Sequence, residues 1–311
     1  MATMPAACSR VWSTICPRPA RSCAFRQTTN DPRDGRPLML WQTLRRLFGG
    51  HSSASVDIPV ETWRRLCAEQ PELADLCDEE VERLRQLAGR FLAGRPFYAA
   101  GGMDLSDAAQ MRIAALAVLP VLGLDLGWLD SIRSVVVYPD AFEVDHEEID
   151  ESGVVHEVRD LRAGEAWSHG TLVLSWADVQ AGLDPEMATS VVVHEVAHFI
   201  DGANGAENGF PPLGKHHDRV RWTADFQAAF DRLAAVVDAG DEPLIDPYAA
   251  TNPAEFFAVL SEYFFRLPEV LSDFDPSLYR HLARFYAQDP LARMAPRIDR
   301  KAAGNNGPSR A

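Results

Sequence analysis

No uncharged apolar stretch in this chain is long enough to cross a bilayer. The longest, Ile113 to Leu124, has twelve residues and is broken by Pro120 and Gly123, whereas a spanning helix needs about twenty. It reads as a buried helix end and its turn. Paired cysteines are also missing. The five cysteines (Cys8, Cys16, Cys23, Cys67 and Cys77) are odd in number, and none forms a Cys-x-x-Cys pair. Neither a disulfide framework nor a cysteine zinc site is signalled, and a reducing, cytoplasmic compartment is the simplest expectation. Positive charge is scarce: 30 basic residues face 45 acidic ones, for a net charge of −15. Such a chain is a poor match for nucleic acid or an anionic membrane surface. No direct nucleic-acid partner and no membrane insertion are therefore expected. No internal repeat is present.

What is present is ordinary globular composition. The 311 residues are 47% apolar and 24% charged, enough for one large domain or two small ones with a full core. The first 38 residues differ from the rest. They hold six arginines, two acids (Asp31 and Asp34) and many Pro, Ser and Thr. That fits a transit peptide, a disordered leader or a start assigned too early, with Met39-Leu40-Trp41 as a natural beginning. They lack the apolar core of a secretory signal.

Beyond the Ser-rich linker after Gly49-Gly50, Leu73, Leu76, Leu84, Leu87 and Phe91 fall on one helical face, which predicts a helix over 71–91. Ser106 is suited to cap a second helix ending near Pro120. Ser131–Tyr138 and Gly170–Trp176 read as strands. Alternation from Phe142 to Val158 around Glu151-Ser152-Gly153 reads as a hairpin. The remainder is helical to about Arg293, and Lys301 to Ala311 reads as a flexible tail. The order of helices, a few strands and then helices points to α+β.

One segment carries chemistry: Val191-Val192-Val193-His194-Glu195-Val196-Ala197-His198-Phe199-Ile200. Asp184 and Pro185 upstream are a cap and a first helical residue. On a helix, His194 and His198 lie one turn apart on one face and can share a zinc ion. Glu195 sits about 100° round the axis, where it can take a proton from water as a general base. A catalytic zinc needs a third protein ligand. The extended His-Glu-x-x-His-x-x-Gly-x-x-His class is excluded, because Asp201 and Asn204 stand where its Gly and last His would be. A glutamate on a later helix is the other solution. Asn252-Pro253 starts a helix running to about Leu267, and it offers both Glu255 and Glu262 on one face. Glu255 also suits a capping role at the third helical position, and spacing alone does not choose between the two. His216 and His217 are weaker candidates in a charged loop. Asp201 suits orienting a ligand, tying down the Asn204-Gly205 loop, or a solvated helix end.

Several blocks in the same order resemble one family. They are His194 to Asp201, Asn204-Gly205, Asn208 to Leu213, Asp246-Pro247-Tyr248-Ala249-Ala250-Thr251 and Pro253 to Phe265. Gly164-Glu165-Ala166-Trp167, Leu174-Ser175-Trp176 and Phe285 to Pro290 add to them. Together they resemble the MtfA family of bacterial zinc-dependent peptidases, named from the Mlc titration factor, over roughly Met39 to Met294. The resemblance implies a mostly helical, zincin-like fold with a small mixed β-sheet beside the active-site helix. It implies one zinc ion held by His194, His198 and Glu255, with Glu195 as catalytic base and Tyr248, seven residues before Glu255, stabilising the oxyanion. It implies an aminopeptidase-like preference and a link to sugar uptake through binding an Mlc-like repressor. A repressor-binding regulator without catalysis is the alternative. The strand at 170–176 is the expected edge for pairing an extended substrate. The expected organisation is a leader and linker over 1–50, a single zinc-peptidase domain over 51–295 and a tail over 296–311.

Overall fold

A computed structural model describes residues 55–140 and 170–294 in full, and between them the backbone of 142–149, 155–162 and 164–167. The expected leader and tail, Cys8, Cys16 and Cys23, the turn at 151–153 and the side chains of His146, His156 and His169 lie outside the described residues.

Helix α1 spans Val60–Glu69 and α2 spans Asp78–Gly94. The helix predicted over 71–91 is split. Pro71–Leu73 makes only a 3-10 turn, and α2 starts six residues later than Glu72. The break turns Glu72 inward to an ion pair with Arg266 at 3.0 Å, which a continuous surface helix would not allow. At the true start, Glu80 accepts from the Cys77 N–H (3.1 Å) and acids at 78–80 face the positive end of the helix. Strand β1 (Phe97–Ala99) follows. Helix α3 (Asp107–Val118) begins as expected, with the Ser106 hydroxyl accepting from the Ala109 N–H. The chain then runs through β2 (Ser134–Tyr138), the antiparallel hairpin of β3 (Phe142–Ile149) and β4 (Val155–Arg162), β5 (Gly164–Trp167) and β6 (Thr171–Ser175).

The main sheet has the order β1-β2-β6-β5. Its first three strands are parallel and β5 runs antiparallel to β6, so the small mixed sheet is present. One expectation fails. Strand β6 is hydrogen-bonded on both sides, to β2 and to β5, and has no edge to offer an extended peptide. The outer position belongs to β5. The entry to β6 depends on Gly170, whose φ is +81° and where a Cβ would run into the Ser131 carbonyl.

Among the described residues, six α-helices follow: α4 (Trp176–Ala181), α5 (Val191–Asp201), α6 (Arg219–Ala239), α7 (Pro253–Arg266), α8 (Pro268–Phe274) and α9 (Pro276–Tyr286). Helix α5 lies against β5, β6, α3 and α7. Helix α7 is buried on every side, with only Ala254 and Glu255 partly accessible. A helix without a solvent face must sit inside, and its buried charges, Glu262 and Arg266, are each met by a partner. Its aromatic run is core, as expected. Phe256 and Phe257 pack on Trp222 and Phe226 of α6, and Phe264 and Phe265 pack on Tyr286 of α9. Burying each such ring contributes about 1.5–3 kcal/mol. That core fixes α7 relative to α5, and the candidate site lies where these two helices meet. No helix among the described residues is long and apolar enough to cross a membrane.

Candidate metal centre

Helix α5 starts at Val191, not beside Asp184-Pro185 as the capping pattern predicts. The Asp184 carboxylate does cap, but it closes a turn by accepting from the Glu186 N–H (3.0 Å). Local bonds of this kind compete with helix formation. The intervening segment is also claimed by Arg266, which donates to the carbonyls of Gly182, Asp184 and Met187 at 2.5–2.9 Å. Those bonds hold the segment in a turn, where the Asp184 carbonyl also accepts from the Met187 N–H (3.2 Å), instead of a helix.

From α5, His194 and His198 project side by side. Their Nε2 atoms are 3.2 Å apart. Glu255 enters from the first turn of α7, with its Oε2 3.1 Å from His194 Nε2 and 3.4 Å from His198 Nε2. The capping alternative for Glu255 is not realised. Asn252 is the cap, its Oδ1 accepting from the N–H groups of Ala254 and Glu255, and the Glu255 carboxylate is left to the histidines. Among the described residues, these three form the one group of His, Cys, Asp or Glu side chains placed to share a metal ion.

The donor set fits a metal. Tetrahedral ligands about 2.0–2.1 Å from zinc stand roughly 3.3–3.4 Å from one another, and the three separations here are 3.1, 3.2 and 3.4 Å.

Glu262, the rival ligand by spacing, lies on the other side of His194. Its Oε1 is 2.8 Å from Nδ1, opposite the cluster, and its Oε2 accepts from the Ser190 N–H. His216 is exposed and His217 packs on Phe285, so neither joins the group. Cys67 and Cys77 are free thiols, and burial pushes the Cys67 thiol up to about 12.

Charge is concentrated here. Burial pulls the His194 pKa down, but the carboxylates of Glu262 and Glu255 outweigh it and hold the ring well above its ordinary 6.5. His198 is raised too, its burial overcome chiefly by Glu255. In return, the two imidazoles overcome burial at Glu255 and keep its carboxyl well below the usual range. Glu195 is buried, one position round α5, and its charge acts on His198.

Tyr248 sits in the 3-10 turn Pro247–Ala250, just before α7. Its ring centroid is 6.1 Å from that of His194. The turn is anchored twice: Asp246 Oδ1 accepts from the Tyr248 N–H (2.9 Å), and the Asp246 N–H donates to the Tyr263 hydroxyl (3.1 Å). Asp201 is wholly buried, which removes the solvated-helix-end reading. It accepts from the Gly209 N–H (2.7 Å) and so ties down the loop after α5. Burial lifts its pKa to about 7, against backbone N–H groups of Gly209 and Asn208 that favour the charged form.

Sequence reasoning missed two contributors. Glu207, in that same loop, feels both His198 and Glu255 and adds negative charge at the site. Its only sequence signal is its position a few residues past the histidine helix. The Glu72–Arg266 pair gave no signal, because nothing in the chain joins those two positions.

The description glucose-regulated metallo-peptidase M90 belongs to the family that matches residues 41–287. Curated relatives include Mlc titration factor A of Klebsiella pneumoniae subsp. pneumoniae, 43% identical over 225 residues, covering 72% of this chain and 84% of the relative. The protein of the same name from Cronobacter sakazakii is 39% identical over 246 residues, 78% of this chain and 91% of its own. That of Escherichia fergusonii is 40% identical over 238 residues, 76% of this chain and 89% of its own.

Proposed function

The chain belongs to the glucose-regulated metallo-peptidase M90 family, and on that premise we propose that it is a zinc-dependent peptidase with a zincin-like catalytic domain within residues 51–295. The observation that carries the reading is the convergence of His194 Nε2, His198 Nε2 and Glu255 Oε2 at metal-ligand separations. These three residues would hold one zinc ion. Bound there, zinc supplies Lewis acidity to water and to the scissile carbonyl.

The chain's own residues do the rest. The Glu195 carboxylate accepts the proton of the attacking water and delivers it to the departing amine. The Tyr248 hydroxyl donates to the carbonyl oxygen as negative charge develops on it, a neutral donor held by the Asp246 turn. Burial of Glu195 and His198 keeps bulk water from screening these charges. The substrate reading is a peptide with an aminopeptidase-like preference, acting in the cytoplasm.

A second reading has its own support in the name that the relatives carry. The relatives are named Mlc titration factor A, and on this reading the chain binds an Mlc-like repressor linked to sugar uptake, with catalysis absent or gated. The test compares peptide hydrolysis by the wild type and by Glu195→Gln at matched zinc content. Loss of activity with zinc retained supports the peptidase. An inactive wild type that carries one zinc, tried on a broad peptide panel, supports the regulator.

A further inference from the structure

Helix α7 sends two carboxylates to the same imidazole. Glu255 meets His194 at Nε2 (3.1 Å) and Glu262 meets it at Nδ1 (2.8 Å). The two glutamates are seven residues apart, about 10 Å along a helix axis at 1.5 Å per residue. They reach the ring from its opposite ends.

Glu262 is only 5% exposed, and both of its oxygens are used. Oε1 faces His194 Nδ1, and Oε2 takes the backbone N–H of Ser190, the residue that precedes α5. The Ser190 hydroxyl has no hydrogen-bond partner among the described residues. Glu262 therefore satisfies, from another helix, the orphan N–H of the N-cap residue, the part that a glutamate at the third helical position plays in a capping box. A carboxylate accepts and cannot donate. Against it, Nδ1 must carry the proton, which leaves the lone pair of a neutral ring on Nε2, toward His198 and Glu255. The other histidine has no such partner among the described residues, where His198 Nδ1 is buried without a hydrogen bond.

We propose, building on the metal-centre reading above, that Glu262 is a positioning residue: it fixes the Nδ1–H form and the orientation of His194 and ties that ring to the start of its own helix. A carboxylate behind a metal-binding histidine sets tautomer and ring angle, and its loss typically weakens metal binding about 10–100-fold. A purely structural cap for α5 would need only the Ser190 contact. The His194 contact is what separates the two roles.

The test uses the full chain loaded with zinc or cobalt(II). Zinc affinity is read by competition with a chromophoric chelator for the wild type, Glu262→Gln and Glu262→Asp. Folding is checked by circular dichroism. Glu262→Gln should stay folded and bind zinc at least about tenfold more weakly, and its cobalt visible spectrum should shift. Glu262→Asp, too short to span both contacts, should also weaken binding. Should the variants unfold, nitrogen NMR of the zinc-loaded wild type still decides, because His194 must carry its proton on Nδ1. Affinity and cobalt spectrum unchanged in folded Glu262→Gln would overturn the proposal, as would a His194 bound through Nδ1. A wild type that binds no stoichiometric zinc would overturn the metal-centre reading and this proposal together, whereas wild-type binding that His194→Ala abolishes and Glu262→Gln leaves intact would overturn this proposal alone.

Discussion

Replacing Arg266 with methionine should destabilise the protein by about 3–5 kcal/mol, the usual consequence of stranding one partner of a buried ion pair. The guanidinium side chain is 1% exposed and that of Glu72 is 0% exposed. Glu72 Oε1 faces Arg266 at 3.0 Å without making a hydrogen bond, so that contact is charge against charge. The other carboxylate oxygen has Gln70 Nε2 at 2.7 Å, a neutral donor that does not replace a cation. Methionine fills most of the volume, so the loss reports charge and hydrogen bonding more than a cavity. The carbonyls of Gly182, Asp184 and Met187 each lose the guanidinium as a donor as well. For a domain of this size, each kcal/mol corresponds to about 2–4 °C in Tm, which gives a drop of about 6–20 °C. The assay is urea unfolding followed by circular dichroism for Arg266→Met, Glu72→Gln and the double variant. Removing the stranded carboxylate should restore part of the loss, with a coupling of about 0.5–3 kcal/mol between neighbours. A single variant within about 1 kcal/mol of the wild type, or a double variant no better than Arg266→Met, would refute the reasoning.

Tyr248→Phe should lower kcat by about 10²–10³ with little change in KM and full zinc retention, as expected for loss of one oxyanion donor. Equal loss in both parameters would assign the hydroxyl to substrate binding instead. Adding a chelator should lower the melting temperature, because a ligand at a hundred times its Kd stabilises the folded state by about 2.7 kcal/mol. No shift in calorimetry would mean that no metal was held. In the metal-free protein, the folded pKa of Asp201, about 7, lies above its ordinary 3.8. The folded state therefore keeps this proton longer, and stability falls as pH rises from about 4 to about 7. Between pH 5 and 8 the wild type should lose about 3 kcal/mol more than Asp201→Asn, at about 1.4 kcal/mol per unit. Parallel pH profiles of the two in urea melts would contradict this.

The histidine pair, the helix that carries it and the start of α7 were legible because each rests on local rules. Two imidazoles one turn apart, and Asn-Pro ahead of an apolar run, mean the same thing in most surroundings. The side of His194 that Glu262 faces was not legible. Helical spacing places Glu255 and Glu262 on one face, but their separation along the axis decides that one meets Nε2 and the other Nδ1. Only the crossing of α5 and α7 reveals this. The start of α5 departs from the capping pattern for a related reason. Asp184 satisfies a capping pattern locally, yet its carboxylate closes a turn onto the Glu186 N–H, and Arg266, distant in sequence, holds the following segment in that path. The edge expected at β6 failed because pairing with β5 depends on a turn whose outcome the strand itself does not encode.

Helix α7 presents Glu255, Glu262 and Arg266 to three different partners: the histidine cluster, the back of His194 with the Ser190 N–H, and the segment leading into α5. A slip of one residue along its axis would shift each side chain by 1.5 Å and turn it about 100°. All three engagements would fail together, and no intermediate register keeps two of them. The three engagements are therefore tied to one register of one helix. A partner or a substitution that displaced this one helix would switch off ligand supply, ring orientation and loop anchoring in a single event.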